Sequence, residues 1–506
     1  MSLITLVAQV AERSGPAYRQ AMRGKIRVEV QGRLVSPMAA SERLGWDCHA
    51  TLHMDFMLAG GVGMPTGEEV ILYARGGACR MGQAGRYLIK GLLTASAFGR
   101  NPLWVEAEDG PMRELDRPGH LYAMVTRMQE AFLVQTRQLS DQGSVLVPGL
   151  TMGMLGNEGM VADDWSGARP EQVVEPVYAA RLKENFKRSG IIHLMAVSGG
   201  HFMILAAVLT RLLRALRSPP LLTGVALAGT CLGLGLIMAP SDSVLRAQAM
   251  GLSAAMAMTA GRRSQSINAL SWCVLLILMA KPSMASSFGF ALSAAAVLGI
   301  SLLGEGLSDR LGYHMPTILA QPLAMTLAAQ AGTLPVQLLM SPQISLFSPI
   351  SNLVVAPVVD VATLAGLAGL MVSWVWPGPG HCLAWVSSLG TGVMEVGATW
   401  LGGSDMGVLA WPPGGLGLLA LVLTEFGILL FLRLIRLLGL AVLDPESGGA
   451  DGIGLPFRPS IWFRVSRWFR QTQEMASSAR FASRRNPDKE RRRHLSMSSD
   501  TGKFEP

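Results

Sequence analysis

The stretch Gly190–Val208, GIIHLMAVSGGHFMILAAV, decides how the chain is read. It is apolar enough for lipid, yet it holds His193, Ser198, His201 and the pair Gly199–Gly200. A plain anchor needs none of these, and each glycine inside a helix costs about 1 kcal/mol relative to alanine. Polar side chains in a span must face protein or water, which makes them functional candidates. The segment therefore reads as a spanning helix interrupted at VSGG, with the freed backbone lining a cavity or covered by protein. The competing reading uses the glycines for close helix packing and the polar groups for interhelical hydrogen bonds.

Outward from this stretch the same solvent class continues. Half of the 506 residues are apolar, 15% are charged, and mean hydropathy is +0.35. Between Gly190 and Leu443 there are ten Lys/Arg and seven Asp/Glu in 254 residues, so the charge gathers in the flanks. Spans are expected near 190–210, 219–240, 243–260, 266–280, 287–304, 318–340, 354–376, 381–401 and 415–435. Several are at the short end of the roughly 20 residues a bilayer needs. Arginines follow the odd spans: Arg211, Arg214 and Arg217, then Arg262 and Arg263, then Arg310, then Arg433 and Arg436. Placing all of them inside puts residues 1–189 outside and the C-terminus in the cytoplasm of a multi-pass plasma-membrane protein. Lys281 and Arg246 then fall on the outer side.

Before the spans the period changes. After a weakly amphipathic segment, 1–24, the runs KIRVEVQG and CHATLHMDFML alternate with period two, and VILYA, RYLIKGLL and LWVEAE follow between glycine-rich turns. In the second run Cys48, Ala50, Leu52, Met54, Phe56 and Leu58 share one face. Five such strands over 25–110 predict a small β-barrel or sandwich, with an OB-type barrel among the candidates. His49, His53 and Asp55 lie opposite that face; they read as a solvated strand face rather than metal ligands. Cys48 and Cys79 are the cysteines of this domain, paired if it is exported and reduced if it is cytoplasmic. Residues 111–189 read as a helical connector, 190–443 as the transmembrane domain, and 444–506 as a basic cytoplasmic tail. In that tail IWFRVSRWFR, 461–470, is amphipathic enough to lie in the headgroup plane.

The pI near 9.5 fits either nucleic acid or an anionic lipid surface, the latter being the default for a polytopic protein. His193 and His201, eight residues apart, sit roughly on one side of an ideal helix but lack a third ligand at metal-site spacing. No metal or other cofactor is expected. With no GxxxxGK[ST] loop and no hydrolase motif, an enzyme is not expected either. The polar groups of the spans are His193, Ser198, His201, Arg246, Gln330, Asn352, Asp360, Glu395 and Glu425. A second interruption is expected at SPISNLVVAP, where Pro349, Asn352 and Pro357 open the seventh span; discontinuous helices of this kind build transport sites.

GIIHLMAVSGGH resembles the signature of the ComEC family of competence channels, in which the pattern G-x-x-H-L-x-A-x-S-G-x-H is typical. LVPGLTMG (146–153), APSDSVLRAQAM with Arg246 and Met250, INAL, KPSMASSFGFALSAAAVLGI and AAQAGTLPVQLLMSPQISLFSPISNLVVAP follow in the family's order. The resemblance covers roughly 145–360, and the β-domain stands where the family carries an OB-like extracellular domain. It implies a channel passing single-stranded DNA through the cytoplasmic membrane during natural transformation. His193, Ser198, Gly199 and His201 would open the first helix onto a wet path, with Gln330 and Asn352 along it, and Arg246 would offer a cation to phosphate. Tyr73, Tyr87 and Trp104 are candidates for stacking bases. Many members add spanning helices ahead of the β-domain and a metallo-β-lactamase-like nuclease domain after the spans. Neither pattern occurs in these 506 residues. The implied partners are a cytoplasmic ATP-dependent motor, a separate nuclease, a DNA receptor and the bilayer. A proton- or ion-coupled small-solute transporter is the alternative, since Asp360, Glu395 and Glu425 would repel a DNA strand.

Overall fold

The computed structural model describes residues 15–41, 43–95, 103–108, 112–156, 176–195, 197, 199–261, 265–403 and 407–443. Ser198, Arg262, Arg263 and the amphipathic stretch 461–470 lie outside the described residues, as do the side chains of Arg433 and Arg436.

A short helix α1 (Pro16–Ala21) precedes strands β1 (Ile26–Leu34), β2 (Ala39–Ala40), β3 (Cys48–Ala59), β4 (Val62–Pro65), β5 (Glu69–Ala74), β6 (Arg86–Ala95), β7 (Leu103–Ala107) and β8 (Arg113–Asp116). The sheet runs β1–β3–β5–β7–β6, and β6 pairs back onto β1, closing a five-stranded barrel. Only β5–β7 is parallel among its pairings. Leu52, Leu72, Ile89 and Leu93 are fully buried inside it, each contributing about 1.5–3 kcal/mol. Ala17, Tyr18 and Ala21 of α1 join that core, so the barrel unit begins ahead of Lys25.

The alternation in β3 holds only to Met54. There the β1–β3 register slips at Gln31/Gly32, pairing Gln31 with Phe56 and Gly32 with Met54. The slip is a β-bulge, in which one strand carries an extra residue and its side chains change phase. Phe56 is 40% exposed and Met57 fully buried, correcting the expected face. Gly32 suits the crossing, since a Cβ there would lie 2.4 Å from the His53 carbonyl oxygen. The barrel also extends beyond residue 110, because β8 pairs with β6 where a helical connector was expected.

Glu68 fastens α1 to the barrel by accepting the Ala17 N–H at 3.2 Å, while its other carboxylate oxygen is buried without a partner. Burial pushes the Glu68 carboxyl above its ordinary value. A raised carboxyl favours the fold when protonated, so this contribution is lost as pH rises through the raised value. Glu68→Gln keeps an acceptor for Ala17 and removes the buried charge. It is expected to raise the barrel's Tm at neutral pH and flatten its pH dependence, as followed by tryptophan fluorescence during heating.

Helices α2 (His120–Thr136) and α3 (Asp141–Met152) come next, then α4 (Pro176–Arg188). The connector is not a spacer: every residue from Gly143 to Met152 is buried, and Phe132 and Val147 pack with Ile237, Leu370 and Ala384. After a 3-10 turn at Ile192–Leu194 come α5 (Gly199–Ala215), α6 (Pro220–Ile237), α7 (Asp242–Thr259) and α8 (Ser266–Ala280). They are followed by α9 (Phe288–Leu311), with a π turn at Ile300–Gly304, and α10 (Thr317–Met340). The last are α11 (Ser348–Ser373), α12 (Pro377–Gly402) and α13 (Gly414–Leu443). A two-stranded ribbon, β9 (Gln343–Ser345) with β10 (Val408–Ala410), joins the loops before α11 and α13.

A helix stands at each of the nine expected spans. Among the described residues, four are long and apolar enough to cross a membrane: α6, α9, α10 and α11. The 15 residues of α8 reach only about 22 Å at 1.5 Å per residue. The expected break at the start of the seventh span is absent. Helix α11 runs unbroken through Pro357, and Pro349 sits in its first turn, where proline costs no intrahelical hydrogen bond.

Candidate functional site

The stretch expected to form the first span is interrupted, and a glycine turn precedes the break. Gly190 has φ +77°, and a Cβ there would lie 2.4 Å from the Ser348 Cβ. The chain turns there, forms the 3-10 turn carrying His193, and passes along α3. Gly149 and Gly153 allow that contact: added Cβ atoms would meet the Met195 carbonyl oxygen at 2.5 Å and Val197 Cγ2 at 3.2 Å. Helix α5 then starts at Gly199. His193 and His201 are therefore not on one helix. His201 is buried in the first turn of α5, 3% exposed. His193, in the 3-10 turn, is exposed.

Two clusters flank this turn. In the first, Arg246 of α7 reaches the start of α5, with Nη2 3.0 Å from where a Gly199 Cβ would stand. Its guanidinium is 5% exposed and fixed: Nε donates to Ser293 Oγ of α9 at 2.5 Å and Nη1 approaches Met250 Sδ at 3.1 Å. Ser241 caps α7, its Oγ accepting the Val244 N–H at 3.3 Å, and Ser287 donates to the Asp242 carboxylate. In the second cluster, Gln330 Nε2 of α10 donates to the Ser345 carbonyl at 3.4 Å, and its Oε1 is buried without a partner. Ser345 Oγ donates to the Arg188 carbonyl at 2.7 Å. Asn352 turns back on its own helix, its Nδ2 donating to the Ser348 carbonyl at 2.8 Å. Ser345 and Ser348 thus hold the Gly190 turn between Gln330 and Asn352. Both serines lie in the stretch quoted above for the resemblance, but residue type and spacing do not single them out.

The carboxylates of the expected spans are arranged differently. Asp360 is exposed halfway along α11. Glu395 of α12 accepts the Tyr178 hydroxyl at 2.5 Å. Among the described residues no group of three or more His, Cys, Asp or Glu side chains stands ready to hold a metal. Asp55 instead accepts Arg86 at 2.7 Å.

The barrel carries its own cluster on the outer face of β3, β5 and β7. The Tyr73 ring centroid is 6.3 Å from Trp46 and 6.2 Å from His49. The Arg43 guanidinium lies 5.0 Å from the Tyr73 ring centre and 5.6 Å from that of Trp104. Arg75 stands 4.4 Å from that of Trp46. Tyr87 does not join them; it is 5% exposed in the core, where its hydroxyl accepts the Gly82 N–H at 2.9 Å. The loops bearing Trp46 and Arg75 are tied by a disulfide between Cys48 and Cys79, with Cα atoms 5.9 Å apart. Arg43, Trp46 and Arg75 sit in loops without periodicity, which is why strand alternation does not reveal them.

Residues 178–436, from α4 into α13, match a family model described as Competence protein. The chain belongs to the Competence protein family. The match contains the whole α5 break together with Arg246, Gln330 and Asn352, so these residues lie within the competence region. Membership connects the protein to DNA uptake in transformation and to a membrane location. No curated protein and no solved structure matches the chain.

Proposed function

We propose that the protein is a channel that passes single-stranded DNA across the cytoplasmic membrane. The observation that carries the reading is the opened start of α5, where the 3-10 turn with the exposed His193 precedes the helix and the fixed Arg246 guanidinium abuts Gly199. A polyanion crossing a low-dielectric layer needs water and a positive charge, and the Arg246 guanidinium places the charge at this point. The nine helices form nine spans in this reading, with the barrel outside and the C-terminus in the cytoplasm. The Cys48–Cys79 bond supports that side, since disulfides persist in oxidising compartments. Lys281, expected on the outer side, reaches Glu69 of the barrel at 2.5 Å.

The barrel closes in the order of an OB-type fold, and its aromatic and arginine side chains form a platform for unpaired bases. Base stacking on such residues is worth about 1–3 kcal/mol per base and tolerates any sequence. Tyr73→Ala or Trp104→Ala is expected to weaken binding of a short single strand on the order of tenfold, measured by fluorescence anisotropy on the full chain in nanodiscs. Strand degradation and the driving force come from partners, a nuclease and an ATP-dependent motor, with a receptor delivering DNA.

Asp360 favours the competing reading, an ion-coupled transporter for small solutes, because a carboxylate stands exposed in mid-span. Uptake of labelled DNA by cells decides between them. DNA entry that depends on Arg246 supports the channel. Unchanged DNA entry with altered proton flux in Asp360→Asn supports the transporter.

A further inference from the structure

The platform does not use a large pocket beside it. Between the 3-10 turn Gly76–Arg80 and β8, a cavity of about 820 Å³ is lined by Arg75, Gly76, Gly77, Arg80, Tyr87 and Glu114, among others. Its charge balance is positive. Arg75 and Arg80 share the lining with one carboxylate, Glu114, which pairs with Arg117 at 3.9 Å. Arg80 is exposed, and among the described residues its side chain makes no hydrogen bond or ion pair. An arginine standing unpaired at a pocket wall presents a fork of donors suited to phosphate oxygens.

The rest of the wall fits the same ligand. Cβ atoms added at Gly76 and Gly77 would meet open space, so a ligand can approach the backbone closely. Burial pushes the Tyr87 phenol above its ordinary value, keeping that part of the wall neutral. Cys79 fixes the 3-10 turn to the first residue of β3, so Arg80 is held in place beside the bond. Arg75 belongs to both places: its guanidinium covers Trp46 on the platform, with Nε donating to the Gly45 carbonyl, and the residue also lines the pocket.

We propose that this pocket binds a phosphodiester of the strand whose bases lie on the Trp46–Tyr73–Trp104 face, with Arg75 joining base platform to backbone site. The assignment rests on the single-stranded DNA reading of the barrel. A phospholipid headgroup offers the same phosphodiester chemistry, so the test separates the two sources. The full chain is placed in nanodiscs of zwitterionic lipid and titrated with labelled oligothymidylate over a salt series. Parallel binding is measured to vesicles containing phosphatidylglycerol.

Arg80→Ala is expected to weaken oligonucleotide binding on the order of tenfold and to lower the salt slope by about 0.7, the value for one phosphate contact on a single strand. Arg80→Lys recovers the slope, since the charge returns, but not the full affinity. Tyr73→Ala weakens binding and leaves the slope unchanged. Wild-type affinity and slope in Arg80→Ala, with Tyr73→Ala still weakened, overturn the pocket alone. Dependence on Arg80 seen only with anionic vesicles assigns the site to lipid and overturns the strand assignment. If wild type binds no oligonucleotide at any salt, the pocket and the DNA reading of the barrel fall together.

Discussion

Arg246→Ala is expected to lower DNA uptake on the order of 100-fold, about 2.8 kcal/mol, with the protein still present in the membrane at its usual amount. The guanidinium is held from both sides, by Ser293 and by Met250, and faces the first turn of α5. Among the described residues it forms no ion pair with a carboxylate, so its removal orphans no buried anion and the fold has little to lose. What disappears is a fixed positive charge at the opened backbone. Arg246→Lys separates charge from geometry. A lysine ammonium on a flexible stem cannot serve Ser293, Met250 and the Gly199 turn together, so an intermediate loss on the order of tenfold is expected. Gly199→Val approaches the same point from the opposite helix, since its side chain would start 3.0 Å from Nη2. Uptake of labelled DNA, normalised to membrane protein, checks all three. Normal uptake in Arg246→Ala removes the residue from the path.

The second large effect is expected at the barrel. Replacing Cys48 and Cys79 by serine removes a bond that closes a loop of sequence separation 31. Loss of a native disulfide from a small domain costs about 2–5 kcal/mol. For a domain of this size each kcal/mol shifts Tm by about 4–8 °C, so a fall of at least about 8 °C is expected. Both half-cystines are buried, 0% and 4% exposed, which leaves serine hydroxyls in apolar surroundings and adds to the loss. The bond also holds the loop with Trp46 near the turn that follows Arg75. Oligonucleotide affinity is therefore expected to drop at temperatures where the barrel remains folded. Heating the full chain with and without reductant, followed by tryptophan fluorescence, measures the first effect. A Tm unchanged to within about 2 °C would show that the sheet alone carries the stability.

Several of these features were legible in the residues, for identifiable reasons. The barrel announces itself because buried strands alternate, as at Val28 and Val30 or Val70 and Leu72. The phase change at Phe56 and Met57 was not legible, since a bulge depends on the partner strand and leaves composition unchanged. The break ahead of α5 was legible as glycine and polar residues in an apolar run, although its turn is made at Gly190 and the Gly199–Gly200 pair lies in the first turn of the helix. The second break did not follow from Pro349 and Pro357, because a proline in the first turn loses no bond and one further in is tolerated when neighbours pack around it. Helix α3 looked like connector because Gly143, Ser144 and Pro148 lower its apolar signal. Those same small residues admit close packing: a Cβ on Gly143 would lie 2.4 Å from Ser388 Oγ. The pairing of His193 with His201 failed for a related reason. Spacing on an ideal helix has no meaning across a turn. Arg246 and Gly199 are 47 positions apart in sequence, and only the packing of α7 against α5 brings them together.

The most direct test is made at His193. With His193→Cys in intact membranes, a water-soluble, membrane-impermeant maleimide should label the thiol, and single-stranded DNA engaged in the channel should slow that labelling. Absence of reaction in membranes, with full reaction once the protein is denatured, would mean that the turn before α5 is dry, and no hydrated passage begins there.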